Sequence, residues 1–214
     1  MGGGIVDLLL VVGAGAAAYL LGSFPAGYLV GRVAGVNILE WGSGRTGGTN
    51  VLRSAGVLPA LLTGALDVGK GAVAVWLAGV MAPDSLQALT QVLAGAAVIL
   101  GHNYSVFLGF RGGAGVGTSL GALSVIYWPA ALTLILLLFV VIAATRYASV
   151  GSLSVATLMP ILLLALALTG VVPPTYIGYG VAAWAIIVYS HWPNIQRLIS
   201  GTERRVGDKG KPQA

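Results

Sequence analysis

Apolar runs long enough to cross a lipid bilayer recur along the whole chain, and they constrain its fold more than any other feature. A spanning α-helix needs roughly 20 mostly apolar residues, because the hydrocarbon core of a bilayer is about 30 Å thick. The runs that we interpret as spans are residues 5–30, 67–81, 86–100, 116–127, 130–144, 150–169 and 176–189. The sequence therefore predicts an all-α polytopic membrane protein with seven transmembrane helices. They form a single domain, residues 1–200, followed by a basic cytoplasmic tail, residues 201–214.

Three of these runs carry signals for irregular backbone. The step Gly22-Ser23-Phe24-Pro25 predicts a kink in the first run, since proline cannot continue the helical hydrogen bonds. The apolar stretch from Ser54 to Met81 is too long for one span, which predicts a short interfacial or broken helix before residue 67. Residues 116–127 are too few for a full span, so we expect a half-depth or tilted helix that ends in a turn at Trp128-Pro129.

The scarcity of charge supports a membrane environment. Hydrophobic residues make up 57% of the 214-residue chain and charged residues only 8%, whereas soluble domains carry about 25% charged residues. The chain has no cysteine, which excludes disulfides, cysteine nucleophiles and thiolate metal sites. The net charge of +5 indicates membrane orientation, and we expect no nucleic-acid partner.

The basic residues fall on one side of the predicted membrane. Apart from Lys70, the lysines and arginines all lie on that side: Arg32, Arg45, Arg53, Arg111, Arg146, Arg197, Arg204, Arg205, Lys209 and Lys211. The other side holds Asp7 and Asp84 and no basic residue. Because cytoplasmic loops are enriched in basic residues, this predicts an external N-terminus and a cytoplasmic C-terminus. The tail after Gly201 is expected to be a disordered basic end, either touching anionic lipid or merely solvated.

The first polar stretch, residues 41–53, reads WGSGRTGGTNVLR. Glycines let successive backbone N–H groups point into one concavity that holds an anion. Arg45 and Arg53 add guanidinium groups suited to phosphate. Hydroxyl donors come from Ser43, Thr46 and Thr49. We favour an anion site here over a flexible glycine-rich loop, and the stretch lacks the Gly-Lys-Ser/Thr of a Walker motif.

The second polar stretch, residues 101–115, places His102 and Arg111 among glycines ahead of the next helix. Backbone amides at a helix start favour an anion, although a re-entrant turn with packing glycines explains the pattern equally well. Asp67 and Lys70 lie three residues apart and can pair on one helix face. An ionisable pair next to an apolar span indicates function, with a structural ion pair as an equal alternative.

Two further clusters lie on the same side of the predicted membrane, Arg146-Tyr147-Ala148-Ser149 and His191-Trp192-Pro193-Asn194. The first is typical of an interfacial anchor. In the second, His191 and Asn194 share a face if a helical turn forms despite Pro193. The sequence shows no carboxylate pair, no metal-ligand cluster and no Ser-His-Asp arrangement. Together the four clusters predict a cytoplasmic-face site for phosphorylated, lipid-linked ligands.

At these residues the chain resembles the bacterial acyl-phosphate:glycerol-3-phosphate acyltransferases, from Gly22 to Gly201. The matching pieces are Gly22-Ser23-Phe24-Pro25, Gly42-Ser43-Gly44 with Gly47, Thr49-Asn50-Val51-Leu52-Arg53, Asp67 with Lys70-Gly71, Gly101-His102, Val106-Phe107 with Gly109-Phe110, Gly112-Gly113 with Gly115-Val116, Arg146-Tyr147 with Ser149, and His191 with Asn194-Ile195. The resemblance implies that a fatty acyl phosphate acylates the 1-hydroxyl of glycerol 3-phosphate. Lysophosphatidic acid and inorganic phosphate are the products. It implies no coenzyme A, carrier protein, metal or other cofactor, and a substrate phosphate that assists with the proton.

The same resemblance implies site residues in a multi-pass, monomeric protein of the bacterial inner membrane. Catalytic positions are Ser43, Arg53, His191 and Asn194. Substrate-binding positions are Arg45, Thr49, Asn50, Lys70, His102, Arg111, Gly112 and Gly113. We expect Arg53 and the Gly112-Gly113 backbone to hold phosphate and Ser43 to orient the anhydride. His191 and Asn194 are expected to hold glycerol 3-phosphate.

Two residues depart from the pattern of that family. Ala114 stands where the family has lysine, and Arg45 stands where it has asparagine. If the two loops meet over the substrate, Arg45 can supply the charge that Ala114 lacks. The alternative is a non-catalytic or repurposed paralogue that binds phosphorylated lipid precursors. A small transporter is the weakest reading, because residues 130–189 place no ionisable group at mid-membrane in a span.

Overall fold

Nine α-helices make up most of the chain in the computed structural model, which describes residues 2–208. They are α1 (Gly2–Ser23), α2 (Ala26–Val33), α3 (Gly48–Ala55), α4 (Val57–Met81), α5 (Gln87–Asn103), α6 (Val116–Thr145), α7 (Ala148–Leu168), α8 (Tyr176–Ser190) and α9 (Trp192–Ile199). Within the described residues no β-strand forms, which confirms the all-α prediction. Lys209 and Lys211 of the predicted basic tail lie outside the described residues.

Five stretches of helix are long and apolar enough to cross a membrane, and α8 adds a shorter apolar helix. They are residues Gly4–Val33, Val57–Met81, Asp84–Asn103, Val116–Thr145 and Ala148–Leu168. Their large side chains are exposed rather than buried: Leu8 is 61% exposed and Val140 is 65% exposed. Such an apolar outer surface is stable only in lipid, so the molecule is an integral membrane protein with several spanning helices.

The first apolar run breaks where the sequence predicted a kink. Helix α1 ends at Ser23, and α2 starts at Ala26, directly after Pro25. At the break, the carbonyl oxygen of Phe24 accepts hydrogen bonds from the Ala26 N–H over 3.0 Å and from the Lys70 ammonium group over 3.1 Å. A lysine of α4 therefore anchors the joint between α1 and α2.

Helix α4 differs from the prediction for its region. A broken or interfacial helix was expected before residue 67, but α4 runs without interruption from Val57 to Met81. The break lies earlier, at Gly56, whose φ of 93° separates α4 from the short α3. The carboxylate of Asp67 contacts the basic groups of Lys70 and His102. Because these contacts offset its charge inside the protein, the helix can continue past Asp67 without a break that exposes it to water.

Helix α6 folds back on itself. Its backbone is non-helical at Tyr127, with φ −159° and ψ 97°, one residue before the predicted turn at Trp128-Pro129. A straight helix of 30 residues would separate its ends by roughly 45 Å. Val116 at one end and Ile142 near the other nevertheless line the same cavity. The two predicted segments are therefore the arms of a hairpin, and Pro129 occupies the first turn of the second arm, where its missing N–H is tolerated.

Glycines bring the spanning helices into close contact. A Cβ at Gly22 of α1 would lie 2.2 Å from the carbonyl oxygen of Val98 on α5. A Cβ at Gly71 of α4 would lie 2.1 Å from the carbonyl oxygen of Thr118 on α6. Small residues of this kind let membrane helices approach backbone to backbone, where packing replaces the hydrophobic effect as the driving force. These contacts fix α4 and α5 at the centre of the molecule.

The tail beyond α9 is held against the domain as far as it is described. The backbone N–H of Val206 donates to the carbonyl oxygen of Arg146 over 2.7 Å. The guanidinium of Arg205 lies over the ring of Tyr147, 5.7 Å from its centroid, and donates to its hydroxyl over 3.3 Å. The prediction of a disordered tail is therefore wrong for residues 202–208, because these contacts order them.

Candidate functional site

A cavity of about 310 Å³ opens between the polar loops. Its walls come from the stretch before α3, from α3 and α4, from the loop before α6, from the second arm of α6, and from the starts of α7 and α9. Predicted site residues that line it are Ser43, Arg45, Thr49, Asn50, Arg53, His102, His191 and Asn194. We call this space the main cavity. Residues that are far apart in sequence thus meet at one place.

The stretch before α3 is shaped by a buried amide. The Asn50 Nδ2 lies 2.9–3.1 Å from the carbonyl oxygens of Ile38, Trp41 and Arg45. Its Oδ1 accepts a hydrogen bond from the Ser43 N–H over 3.1 Å. These contacts occupy the amide of Asn50 with the loop itself. They hold the exposed Ser43 and Thr49 side chains at the cavity.

A glycine makes this turn possible. Gly42 has φ of +57°, a left-handed conformation that other residues rarely adopt. A Cβ at Gly42 would also lie 2.4 Å from the Oδ1 of Asn50. A glycine at position 42 is therefore required by the backbone around Asn50.

The first and second polar stretches are in contact. The N–H of Thr46 donates to the carbonyl oxygen of Gly112 over 3.2 Å. The N–H of Gly113 donates in turn to the carbonyl oxygen of His102 over 2.9 Å. The sequence could not establish that these loops converge, and the backbone bonds show that they do.

A second cavity of about 360 Å³ adjoins the first. Arg111, Gly112 and Gly113 line it, while Ser43 and Arg45 line both cavities. Arg53 and the Gly112-Gly113 backbone, which were expected to hold phosphate, line different cavities. Ser43 and Arg45 form the wall between the two spaces, so a ligand that reaches both must pass them.

Arg45 connects the first loop to the C-terminal part of the chain. One guanidinium nitrogen donates to Asn194 Oδ1 over 3.1 Å, and the other donates to the carbonyl oxygen of Ser190. Burial, with a smaller contribution from nearby Arg197, lowers the pKa of Arg45 from its usual 12.5. An arginine remains charged at neutral pH, so Arg45 presents a partly desolvated cation to both cavities.

Arg53 is held by the tail. Its guanidinium donates to the carbonyl oxygens of Arg204 over 3.2 Å and Arg205 over 3.4 Å. Burial and the charge of Arg204 lower the pKa of Arg53 below its usual value. The backbone of the tail thus positions the guanidinium of Arg53, which is predicted to bind phosphate.

His191 is buried, with 4% of its surface exposed, at the start of α9. Its Nδ1 lies 2.9 Å from the carbonyl oxygen of Ile187, so Nδ1 carries the hydrogen and Nε2 keeps a lone pair. Burial lowers the pKa of His191 to about 4. The side chain is therefore neutral at physiological pH and presents a hydrogen-bond acceptor rather than a charge.

The helical turn that would bring His191 and Asn194 to one face does form. Helix α9 begins directly after His191 and tolerates Pro193 because that residue lies in its first turn. Both side chains line the main cavity. Their predicted co-location is confirmed.

Glu203 is a site residue that the sequence analysis missed. Its two carboxylate oxygens accept hydrogen bonds from Asn194 Nδ2 and Arg197 Nε, each over 2.7 Å. Burial raises the pKa of Glu203, but the hydrogen bonds from Asn194 and Arg197 and the charge of Arg197 outweigh this and hold the pKa below its usual value. An acidic residue next to two arginines in a basic tail was the available signal.

Lys70 is the one predicted binding residue that lines neither cavity. Its ammonium lies 3.0 Å from Asp67 Oδ1, which confirms the predicted pair. His102 Nδ1 lies 3.3 Å from the same oxygen. The basic group of Lys70 is thus turned toward α2 and Asp67 rather than toward the cavity. Among the described residues no cluster of His, Asp or Glu could hold a metal ion.

Comparison with known proteins places this arrangement in context. A family model described as glycerol-3-phosphate acyltransferase matches residues 12–201. A glycerol-3-phosphate acyltransferase of Synechococcus sp. (strain CC9902) is 43% identical over 205 residues, which cover 95% of this chain and 96% of the relative. Glycerol-3-phosphate acyltransferase 3 of Dehalococcoides mccartyi is 41% identical, covering 97% of this chain and 99% of the relative.

The fold is also similar to that of a solved membrane enzyme. The crystal structure of PlsY (YgiH), an integral membrane glycerol 3-phosphate acyltransferase, in its glycerol 3-phosphate form superposes with a TM-score of 0.80. The sequences are 33% identical, and the match covers 94% of this chain and 95% of that one. The lysophosphatidic acid form of the same protein gives a TM-score of 0.79.

Proposed function

The chain belongs to the glycerol-3-phosphate acyltransferase family, and from that premise we propose that it acylates glycerol 3-phosphate. The donor is a fatty acyl phosphate, and the acceptor is the 1-hydroxyl of glycerol 3-phosphate. The products are lysophosphatidic acid and inorganic phosphate. This is the first acylation of phospholipid synthesis, and it needs no coenzyme A or metal.

The chemical character of the main cavity is the observation that carries the proposal. Its lining includes the basic residues Arg45, Arg53 and Arg197. The second arm of α6 adds the apolar side chains of Leu138 and Ile142. An anionic headgroup next to an apolar chain is the substrate that matches such a cavity, and acyl phosphate has this form. Phosphate is already a good leaving group, so positioning and charge stabilisation supply much of the catalysis.

We assign roles to the site residues on this basis. Arg53 holds a phosphate group. Ser43, in the wall between the two cavities, orients the anhydride. His191 and Asn194 hold glycerol 3-phosphate, with the His191 lone pair accepting a hydrogen bond from a substrate hydroxyl.

The remaining predicted residues support these groups. In the neighbouring cavity Arg111 offers guanidinium donors and Gly112 a backbone N–H, while the N–H of Gly113 is already bonded to the carbonyl oxygen of His102. Asn50 fixes the loop that carries Ser43, and Thr49 adds a hydroxyl to the main cavity. Lys70 anchors the α1–α2 joint through Phe24 and contributes to binding only indirectly.

The topology belongs to the same proposal. Seven spans arise when α1, α4, α5, both arms of α6, α7 and α8 each cross the bilayer. The distribution of arginine and lysine then places the N-terminus outside and the main cavity at the cytoplasmic face of the bacterial inner membrane. We propose a monomer, because residues from one chain complete the cavity.

The direct test uses purified protein in detergent or a lipid mesophase, supplied with palmitoyl phosphate and glycerol 3-phosphate. Lysophosphatidic acid and phosphate should appear in equal amounts. R53Q should reduce kcat/KM by about 100-fold, as expected for loss of a charge-assisted contact with phosphate. R32Q changes a cytoplasmic arginine that does not line either cavity and should leave the rate unchanged.

Absence of turnover, with an active relative as positive control, would instead identify a binding paralogue. Ala114 is the observation that favours this second candidate, since it leaves a methyl group in the wall of the main cavity where the resembling family has lysine.

A further inference from the structure

One peptide group of the tail, between Arg205 and Val206, joins Arg53 to the end of α6. Its carbonyl oxygen accepts a hydrogen bond from the Arg53 guanidinium over 3.4 Å. Its N–H donates to the carbonyl oxygen of Arg146 over 2.7 Å. Because a peptide group is planar and rigid, any shift of its N–H also shifts its carbonyl oxygen. The end of α6 and Arg53 are therefore linked through one rigid unit.

Arg53 depends on the tail for its position. Its guanidinium donates to the carbonyl oxygens of Arg204 and Arg205. Among residues 2–208 it forms no ion pair, and its buried Nε–H has no hydrogen-bond partner. A long side chain with several rotatable bonds keeps one position only where contacts fix it. The tail backbone therefore determines where this cation lies in the main cavity.

A strained residue at the end of α6 receives the tail. Arg146 has φ of 63°, a left-handed conformation that residues other than glycine rarely adopt. Such strain persists only where the surrounding structure holds it, and it is common in segments that clamp a partner. In this conformation the carbonyl oxygen of Arg146 accepts the hydrogen bond from Val206. The costly backbone of Arg146 is thus associated with docking of the tail.

The next residue, Tyr147, holds the tail through a side chain. The Arg205 guanidinium lies 5.7 Å from the centroid of the Tyr147 ring, and its Nε donates to the ring hydroxyl over 3.3 Å. A cation over the face of a tyrosine ring is attracted by the negative charge of that face. Neither Tyr147 nor Arg205 lines either cavity. An effect of these residues on turnover must therefore pass through the tail.

We propose that Tyr147 and Arg205 are positioning residues of the acyl transfer. They hold the Arg205–Val206 peptide against the end of α6, and this peptide holds Arg53 where it binds the substrate phosphate. The inference rests on the proposed function. It adds no proton transfer and no covalent step, because its whole contribution is the orientation of a charge that stabilises phosphate during the transfer.

The first experiment measures kcat and KM of Y147L, R205Q and R205K with palmitoyl phosphate and glycerol 3-phosphate. Y147L and R205Q remove the same contact from its two sides. Each should lower kcat/KM by about 3- to 10-fold, and their double variant by no more than either alone. R205K keeps a cation over the ring and should retain most of the rate. A double variant with the product of the two losses would overturn the shared contact.

The matched control for Y147L is Y189L. It truncates a tyrosine that is 73% exposed at the end of α8 and lines neither cavity. Its kcat and KM should equal those of the wild type. A loss in Y189L as large as that in Y147L would overturn a specific role for Tyr147.

A second matched pair tests the backbone bond to Arg146. V206P removes the N–H that binds the carbonyl oxygen of Arg146 and should lower kcat/KM by about 10-fold or more. V206A keeps that N–H and should retain the rate. Equal rates of the two variants would overturn the link through the Arg205–Val206 peptide.

Combination with R53Q separates positioning from a general loss of stability. If the tail acts through Arg53, Y147L should cause no further loss of kcat/KM in the R53Q background. Y147L should also raise the same KM that R53Q raises and leave the KM of the other substrate unchanged. A purely structural role for Tyr147 would lower the Tm and reduce the rate of R53Q by the same factor as that of the wild type. That result would overturn the inference.

A measurement independent of turnover follows the tail itself. Coupling between two sites is reciprocal, so loss of Arg53 should also loosen the tail. Trypsin cleaves after Arg204 and Arg205 when the tail opens away from the domain. Mass spectrometry should show faster cleavage there in Y147L and in R53Q than in the wild type and in Y189L. Wild-type cleavage of R53Q would overturn the coupling. An inactive wild type would overturn the proposed function, and the cleavage rates would then decide the coupling by themselves.

Discussion

The guanidinium of Arg45 donates a hydrogen bond to Asn194 Oδ1 across 149 positions of sequence. This contact joins the first polar loop to the last helix and sets one wall of the main cavity. Asn194 in turn donates to Glu203, so one chain of hydrogen bonds runs from the first loop to the tail. The cavity is therefore assembled from both ends of the chain.

The position of Arg45 gives the compensation hypothesis a concrete test. Arg45 and Ala114 line the same cavity, so a cation at either position reaches the same space. We expect R45N to lower kcat/KM by about 10- to 100-fold, since a charge-assisted contact contributes roughly 1.5–3 kcal/mol. A114K combined with R45N should restore the rate to near the wild-type value. Equal losses in R45N and in the double variant would contradict compensation.

Glu203 should make stability depend on pH in the acidic range. Its pKa in the folded protein lies below the ordinary value of 4.5, so the unfolded chain binds the proton more readily. The carboxylate therefore contributes stability that is present above about pH 4.5 and lost as the pH falls through the lower folded pKa. E203Q should lower the Tm at pH 7 and flatten this acidic decline.

The matched control for that variant is D208N, which changes another carboxylate of the tail. Asp208 accepts a hydrogen bond from the Arg205 N–H at an exposed position. Its replacement should shift the Tm little, because exposed polar contacts contribute little to stability. A larger effect of D208N than of E203Q on Tm would refute a stabilising role for the Glu203 contacts.

His191 should also make stability depend on pH, but through the neutral form of a buried base rather than the charged form of an acid. The unfolded histidine takes up a proton near its ordinary pKa of 6.5, whereas burial holds the folded pKa at about 4. Stability should therefore fall as the pH decreases from about 6.5 to 4, by on the order of 3 kcal/mol. H191Q removes this titration, so its unfolding temperature should decline less than that of the wild type over the same range.

Gly42 should tolerate no side chain. G42A introduces a Cβ at 2.4 Å from Asn50 Oδ1 and forces a left-handed backbone on alanine. We expect loss of most activity and a lower Tm, because the amide that organises the loop must move. G69A places a Cβ on α4 where nothing lies within 4 Å, and it should be neutral or slightly stabilising. A fully active G42A would show that the loop is not held by Asn50 during turnover.

The absence of native cysteine makes the proposed orientation measurable. Single cysteines at Asp84 and at the exposed Gln196 should react on opposite sides of the membrane. We expect an impermeant maleimide added to intact cells to label D84C and to label Q196C only after the membrane is opened. The reverse pattern would invert the topology and remove the main cavity from the cytoplasm.

The apolar runs alone determined that the chain is a bundle of membrane helices, because hydropathy and helix length are local properties. The breaks at Phe24-Pro25 and next to Pro129 were likewise predictable, since proline acts on its immediate neighbours. The continuous α4 was not, because its continuity depends on Lys70 and His102 satisfying Asp67, and His102 lies on another helix.

The residue types of the site were visible in the sequence, but their grouping was decided by tertiary structure. Glycines, arginines and amides indicated anion binding wherever they clustered. Only helix packing brings the Thr46 N–H to the Gly112 carbonyl oxygen and assigns Arg53 and Gly113 to neighbouring cavities. The role of Glu203 was equally hidden, since it depends on a tail that returns across the start of α9. Contacts of this kind depend on the arrangement of the spanning helices, which local sequence patterns do not specify.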